Sequence, residues 1–99
     1  MTKRKFEVAM RAPTGIKYGT LTFDEDSGNI NGILDILCCK NTISGTVSTD
    51  GKISFAGEIV TIIRTFAYEA TGQISDKTLS AEINGEQLNC TLTGREVSL

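Results

Sequence analysis

Hydrophobic and polar side chains alternate with a period of two along almost the whole chain, and no stretch sustains the three-and-four spacing of a buried helical face. The pattern predicts an all-β protein. Six turn-forming clusters, at Ala12-Pro13-Thr14-Gly15, Asp24 to Asn29, Cys39-Lys40-Asn41, Asp50-Gly51, Asp76-Lys77 and Asn84-Gly85, together with one further connection divide it into eight strands. The strands fall near residues 5–12, 16–23, 29–38, 42–49, 52–60, 63–75, 78–83 and 88–95. Asp50-Gly51 and Asn84-Gly85 are the clearest hairpin signals, because type I′ turns need positive φ at both central residues. The connection around Val60-Thr61-Ile62 carries no turn chemistry. Every connection is short, whereas parallel neighbours need long crossovers, so consecutive strands pair as antiparallel hairpins in an up-and-down meander.

Parity then assigns the faces. One row holds Phe6, Val8 and Met10, then Leu21 and Phe23, Ile30, Leu34 and Ile36, Ile43 and Val47, Ile53, Phe55 and Ile59, Phe66, Tyr68 and Ile74, Leu79 and Ile83, and Leu88, Cys90 and Leu92. The opposite row is polar: Thr42, Ser44, Thr46 and Ser48 on the fourth strand, Thr65, Glu69, Thr71 and Gln73 on the sixth, Thr78, Ser80 and Glu82 on the seventh. With no helix to cover the apolar face, the sheet must cover itself. Closing fully or nearly fully into an eight-stranded barrel is the simplest way, and it removes the sheet edges; a two-sheet sandwich satisfies the same alternation. A glycine recurs on the apolar row as Gly19, Gly32, Gly45, Gly57 and Gly72, about one per strand and turn, where a missing Cβ lets a sheet bend sharply.

Length limits this to a single domain spanning residues 1–99. A net charge of −2 and only four Phe and two Tyr argue against a nucleic-acid partner, which needs a basic face and stacking side chains. Histidine is absent, which excludes Ser-His-Asp hydrolysis, Cys-His proteolysis and His-ligated metal catalysis. Three cysteines, two of them adjacent at Cys38 and Cys39, form neither a disulfide framework nor a zinc site, so reduced thiols and no cofactor are expected. The basic start Lys3-Arg4-Lys5 is followed by Glu7, Arg11 and Pro13 before any apolar run, and no window is long enough for a membrane span. The expected location is the cytoplasm. Asp24, Asp26 and Asp35 echo a calcium loop, but Asn29 stands where the sharp turn wants glycine, and an acidic hairpin turn is the better reading. Glu58, Glu69 and Glu82 fall on the outward row, away from any glycosidase-like carboxyl pair.

An eight-stranded hairpin meander with its apolar row inside and glycines along that row resembles the small lipocalin-like, calycin-type barrels and the avidins. The resemblance is one of pattern, without the Gly-x-Trp of lipocalins or any Trp at all. It implies a cup for a small apolar molecule.

In a meander the loops alternate between ends. One end gathers the termini and the acidic loops at 24–29, 50–51 and 76–77; the other gathers those at 12–15, 39–41, 60–62 and 84–87, with Pro13, Cys38, Cys39, Val60, Ile62 and Ile63. We call these the first and second ends. An apolar rim of this kind marks a ligand mouth or a contact with another chain. Gly19, Gly45 and Gly57 are expected near the second end and to widen the interior there. The expected function is non-enzymatic binding of a hydrophobic or amphipathic small molecule in a pocket lined by Met10, Leu21, Ile36, Ile59, Phe66 and Tyr68, with Arg64 on the same row pairing an anionic head group. The alternative is a filled interior and a structural or interaction protein that self-associates, as a homodimer through Ile33, Leu37 and Ile63, or binds a protein partner through its apolar rim. Catalysis by Tyr68 and Arg64 would have no base beside it.

Overall fold

Eight strands follow one another in chain order: β1 (Thr2–Ala12), β2 (Gly15–Asp26), β3 (Asn29–Ile36), β4 (Cys39–Val47), β5 (Lys52–Val60), β6 (Thr65–Ser75), β7 (Thr78–Gly85) and β8 (Asn89–Val97). The structure is a computed structural model that describes residues 2–13, 15–36, 39–60, 63, 65–85 and 89–98, and of these the side chains of all but Thr2, Cys39, Ile59, Val60 and Phe66. Each strand pairs antiparallel with the next, and β8 returns to β1 over the register Lys5↔Val97 to Arg11↔Thr91. That last ladder makes the sheet a closed barrel and not a sandwich. Among the described residues no helix is long and apolar enough to cross a membrane.

The period-two rows emerge as inside and outside. Phe6, Leu21, Phe23, Ile30, Leu34, Ile36, Ile53, Leu79, Ile83 and Leu92 are buried almost completely in one core. Their polar neighbours, including Thr46, Ser54, Thr71 and Glu82, face outward. At roughly 25 cal/mol per Å² of apolar surface removed from water, this core supplies the main force for folding.

β1, β2 and β8 run two or three residues beyond their expected bounds, to Thr2, Asp26 and Val97, and two expected turns are displaced for physical reasons. Asn84-Gly85 is not a hairpin turn: Gly85 ends β7 opposite Tyr68, where an added Cβ would lie 2.6 Å from Ala67 O. The glycine is there for close approach of strands. Asn41 is likewise not in a turn, because β4 begins at Cys39 and places Asn41 two residues before Ile43 on the inward row, 3% exposed. The turn with positive φ at both central residues is instead Ser27 (φ 53) and Gly28 (φ 85), the type I′ signature. In the β4–β5 connection Gly51 alone has positive φ (91), and the loop holds itself through the Ser48 hydroxyl on the Asp50 carboxylate and a Gly51 N–H to Ser48 O bond of 3.0 Å.

Large side chains stand opposite the inward glycines: Phe23↔Gly32, Phe55↔Gly45, Ile53↔Gly72, and Tyr68↔Gly57 on one side and Gly85 on the other. At Gly45 an added Cβ would fall 1.9 Å from Ser54 O and 2.5 Å from the Phe55 Cα, so the neighbouring backbone occupies the space a side chain would need. The glycines therefore tighten the wall into corners. Of the glycines expected near the second end, Gly45, two residues from the end of β4 at Val47, sits nearer the first end instead.

The first end is tied together. Val47 N–H donates to Gly28 O (2.8 Å), Ile74 N–H to Gly51 O (2.7 Å) and Glu96 N–H to Lys77 O (2.7 Å), so each acidic hairpin loop is fastened to the strand that follows it around the wall. On the remaining seam, Arg4 of β1 and Glu96 of β8 form a two-pronged pair of 2.9 and 3.0 Å, with the guanidinium 5.2 Å from the centre of the Phe6 ring.

Candidate functional site

Of the side chains expected to line a pocket, Met10 on β1, Leu21 on β2, Ile36 on β3 and Tyr68 on β6 are buried on the inward row and belong to the same core cluster. Ile59 and Phe66 face each other in the β5–β6 ladder, their side chains outside the described residues, as is Arg64 altogether. Of the expected contact patch, Ile33 is 43% and Ile63 89% exposed, while Leu37 lies outside the described residues.

Tyr68 is the chemically distinct member of the group. Its ring meets Phe55 edge to face, with centroids 6.4 Å apart and an interplanar angle of 89°. The glycines opposite it on both neighbouring strands make room: a Cβ at Gly57 would lie 3.0 Å from Tyr68 Oη, and one at Gly85 3.3 Å from Tyr68 Cβ. The hydroxyl thus lies against bare backbone on β5, in the direction of Ile43 on β4. Tyr68 is 3% exposed, and its Oη has no hydrogen-bond partner among the described residues. Burial, with a smaller contribution from Cys90, pushes the phenol up to about 12. It is a neutral donor at any physiological pH.

Two further polar side chains face the interior. Asn41 donates from Nδ2 to Leu34 O at 3.4 Å. Cys90, opposite Ile83, is a buried free thiol whose pKa is raised by burial. Sequence reasoning placed Cys90 in the core but missed Asn41, although its parity with Ile43 was available as a signal. Nor did it single out Arg4 in the basic start Lys3-Arg4-Lys5, whose guanidinium turns inward and holds the first end.

Clefts on the outside are of another kind. A groove of about 840 Å³ crosses the outer wall from β4 to β7, among Thr46, Ser54, Thr71, Gln73, Ser80 and Glu82. A smaller hollow of about 370 Å³ at the first end touches Arg4, Glu25 and Asp76. Asp24 and Asp35 are far apart in the ladders, opposite Asn31 and Lys40 respectively, and among the described residues no cluster of acidic or thiol side chains is placed to hold a metal ion.

No protein-family model matches the chain, and no curated protein does so. Among solved structures it is similar to a redesigned β-barrel, mFAP1, bound to DFHBI, with a TM-score of 0.63 and 16% identity over 95% of this chain and 92% of that one. The two share a fold. At that identity the likeness extends to the eight-stranded barrel and no further.

Proposed function

We propose that this protein is a non-enzymatic carrier or sensor that holds a small hydrophobic or amphipathic molecule in the second-end half of its barrel. The observation that carries this reading is the Tyr68 hydroxyl: a buried donor left without a protein partner costs about 1–3 kcal/mol, and a bound ligand would recover it. Met10, Leu21, Ile36, Ile59, Phe66 and Tyr68 are the proposed lining, with Arg64 at the rim for any anionic group and the cytoplasm as the proposed location. That the similar barrel mFAP1 is bound to DFHBI is consistent with the architecture accepting a small molecule. Because Met10, Leu21, Ile36 and Tyr68 are packed against one another, uptake requires these side chains to part, and association should be slow compared with diffusion.

Native mass spectrometry of freshly purified protein, followed by titration with the uncharged dye N-phenyl-1-naphthylamine, tests the proposal. A retained small mass or saturable binding of one dye per chain is expected. Bare protein that also leaves the dye dark would end this reading in favour of the second one, a filled barrel that self-associates, for which the observation is the exposure of Ile33 and Ile63.

A further inference from the structure

We propose, resting on the binding function above, that the buried end of the ligand is uncharged and carries a hydrogen-bond acceptor, a carbonyl or its equivalent, which takes the proton of Tyr68 Oη.

The first part of the case is placement. Tyr68 lies between Phe55, edge to face against its ring, and the bare backbones of Gly57 and Gly85 on either side, so its hydroxyl is held inside the core away from water. A phenol held this way can donate one proton in one direction. No described residue takes its proton, which leaves the donor for a group that arrives from elsewhere.

The second part is the distribution of charge along the inward row. Among the described residues, the charged members of that row are Arg4, Glu25 and Glu96 at the first end and Lys17 at the second. Arg4 and Glu96 satisfy each other. Lys17, opposite Met10, is exposed at the rim and solvated. Between these ends, among the described residues, the polar side chains facing inward are Asn41, Tyr68 and Cys90, an amide, a phenol and a thiol, all neutral. An ionised group pushed down to Tyr68 would lose its hydration with no counter-charge beside it among the described residues, which costs far more than one hydrogen bond returns. A neutral acceptor loses little on burial and regains a full bond. The interior therefore selects by polarity at depth, whatever the ligand carries at its outer end.

Two uncharged naphthalene dyes separate this from the underlying binding function: 6-propionyl-2-dimethylaminonaphthalene, which has a ketone, and N-phenyl-1-naphthylamine, which has none. In the wild-type protein the ketone should be preferred, and Tyr68→Phe should reduce that preference about tenfold, the worth of one buried hydrogen bond. The carbonyl stretch of the bound ketone, read by infrared difference in the wild-type protein alone, should lie below its position in a hydrocarbon solvent. This second readout holds even if Tyr68→Phe folds poorly. An unchanged preference in a folded Tyr68→Phe protein, or a carbonyl stretch at the hydrocarbon position, overturns the inference while leaving a binding barrel. Failure of the wild-type protein to bind either dye overturns both.

Discussion

Gly45→Ala is the sharpest perturbation of this barrel. The added methyl would lie 1.9 Å from Ser54 O, 2.5 Å from Phe55 Cα and 2.8 Å from Phe55 Cβ. These are mostly backbone atoms of the hydrogen-bonded neighbour, so no rotamer change relieves them. Restoring an ordinary carbon-to-oxygen contact requires β4 and β5 to separate by about 1.5 Å, enough to break the ladder hydrogen bonds beside Gly45↔Phe55. Two lost bonds at about 1 kcal/mol each, added to overpacking of about 1–3 kcal/mol, give roughly 3–5 kcal/mol. For a domain of this size, total stability is about 5–15 kcal/mol and Tm moves about 4–8 °C per kcal/mol. Melting followed by circular dichroism should therefore fall by at least about 12 °C. Gly57→Ala is the internal comparison: its nearest contacts are 2.9 to 3.1 Å away, and two of the three are the Tyr68 hydroxyl and an Ile43 methyl, which can yield. It should lose only about 1 kcal/mol. If Gly45→Ala melts with the wild type, or Gly57→Ala falls just as far, close approach of strands is not what these glycines provide.

Tyr68→Phe, measured without ligand in urea, should raise stability by about 1–3 kcal/mol, since it removes a buried donor that lacks a partner. With Tyr18→Phe as background, the one remaining phenol should ionise at about 12 when followed by ultraviolet absorbance. Because burial raises that value, its contribution to folding is intact below the ordinary phenol range and is lost as pH climbs towards 12; Tyr68→Phe should lack this alkaline loss. At the other end, the hydrogen bond from Arg4 holds the Glu96 carboxyl below the usual carboxylate range. The pair therefore stabilises above that range and fails as acid protonates Glu96. A double-mutant cycle of Arg4→Gln and Glu96→Gln should give a coupling of about 1–2 kcal/mol at neutral pH that vanishes in acid, by urea titration at each pH.

Much of the barrel was legible because a two-residue period leaves little freedom: once Phe6, Leu21, Ile30 and Leu79 share a face, so do their polar neighbours on the opposite one. Closure was the expected way to cover the apolar face, but alternation alone does not force it, because it is identical in a sandwich; the β8 to β1 register decides it. Asn84-Gly85 misled because the same glycine chemistry serves a turn and a tight strand crossing, and only the partner, Tyr68, tells them apart. Arg4, Glu96 and Asn41 were hidden by their polarity. Parity places each of them inside, but a single sequence does not reveal the partner that makes burial tolerable. For the candidate site, the lining residues Met10, Leu21, Ile36 and Tyr68 could be read from the row they occupy, whereas the isolation of one hydroxyl among them is a fact of three dimensions.

The chain begins and finishes at the same pole, with Lys5 facing Val97 across the seam beside the Arg4 and Glu96 clasp. Anything joined to either terminus, a tag, a surface tether or a neighbouring polypeptide, will project from the fastened base and leave the far rim facing its surroundings.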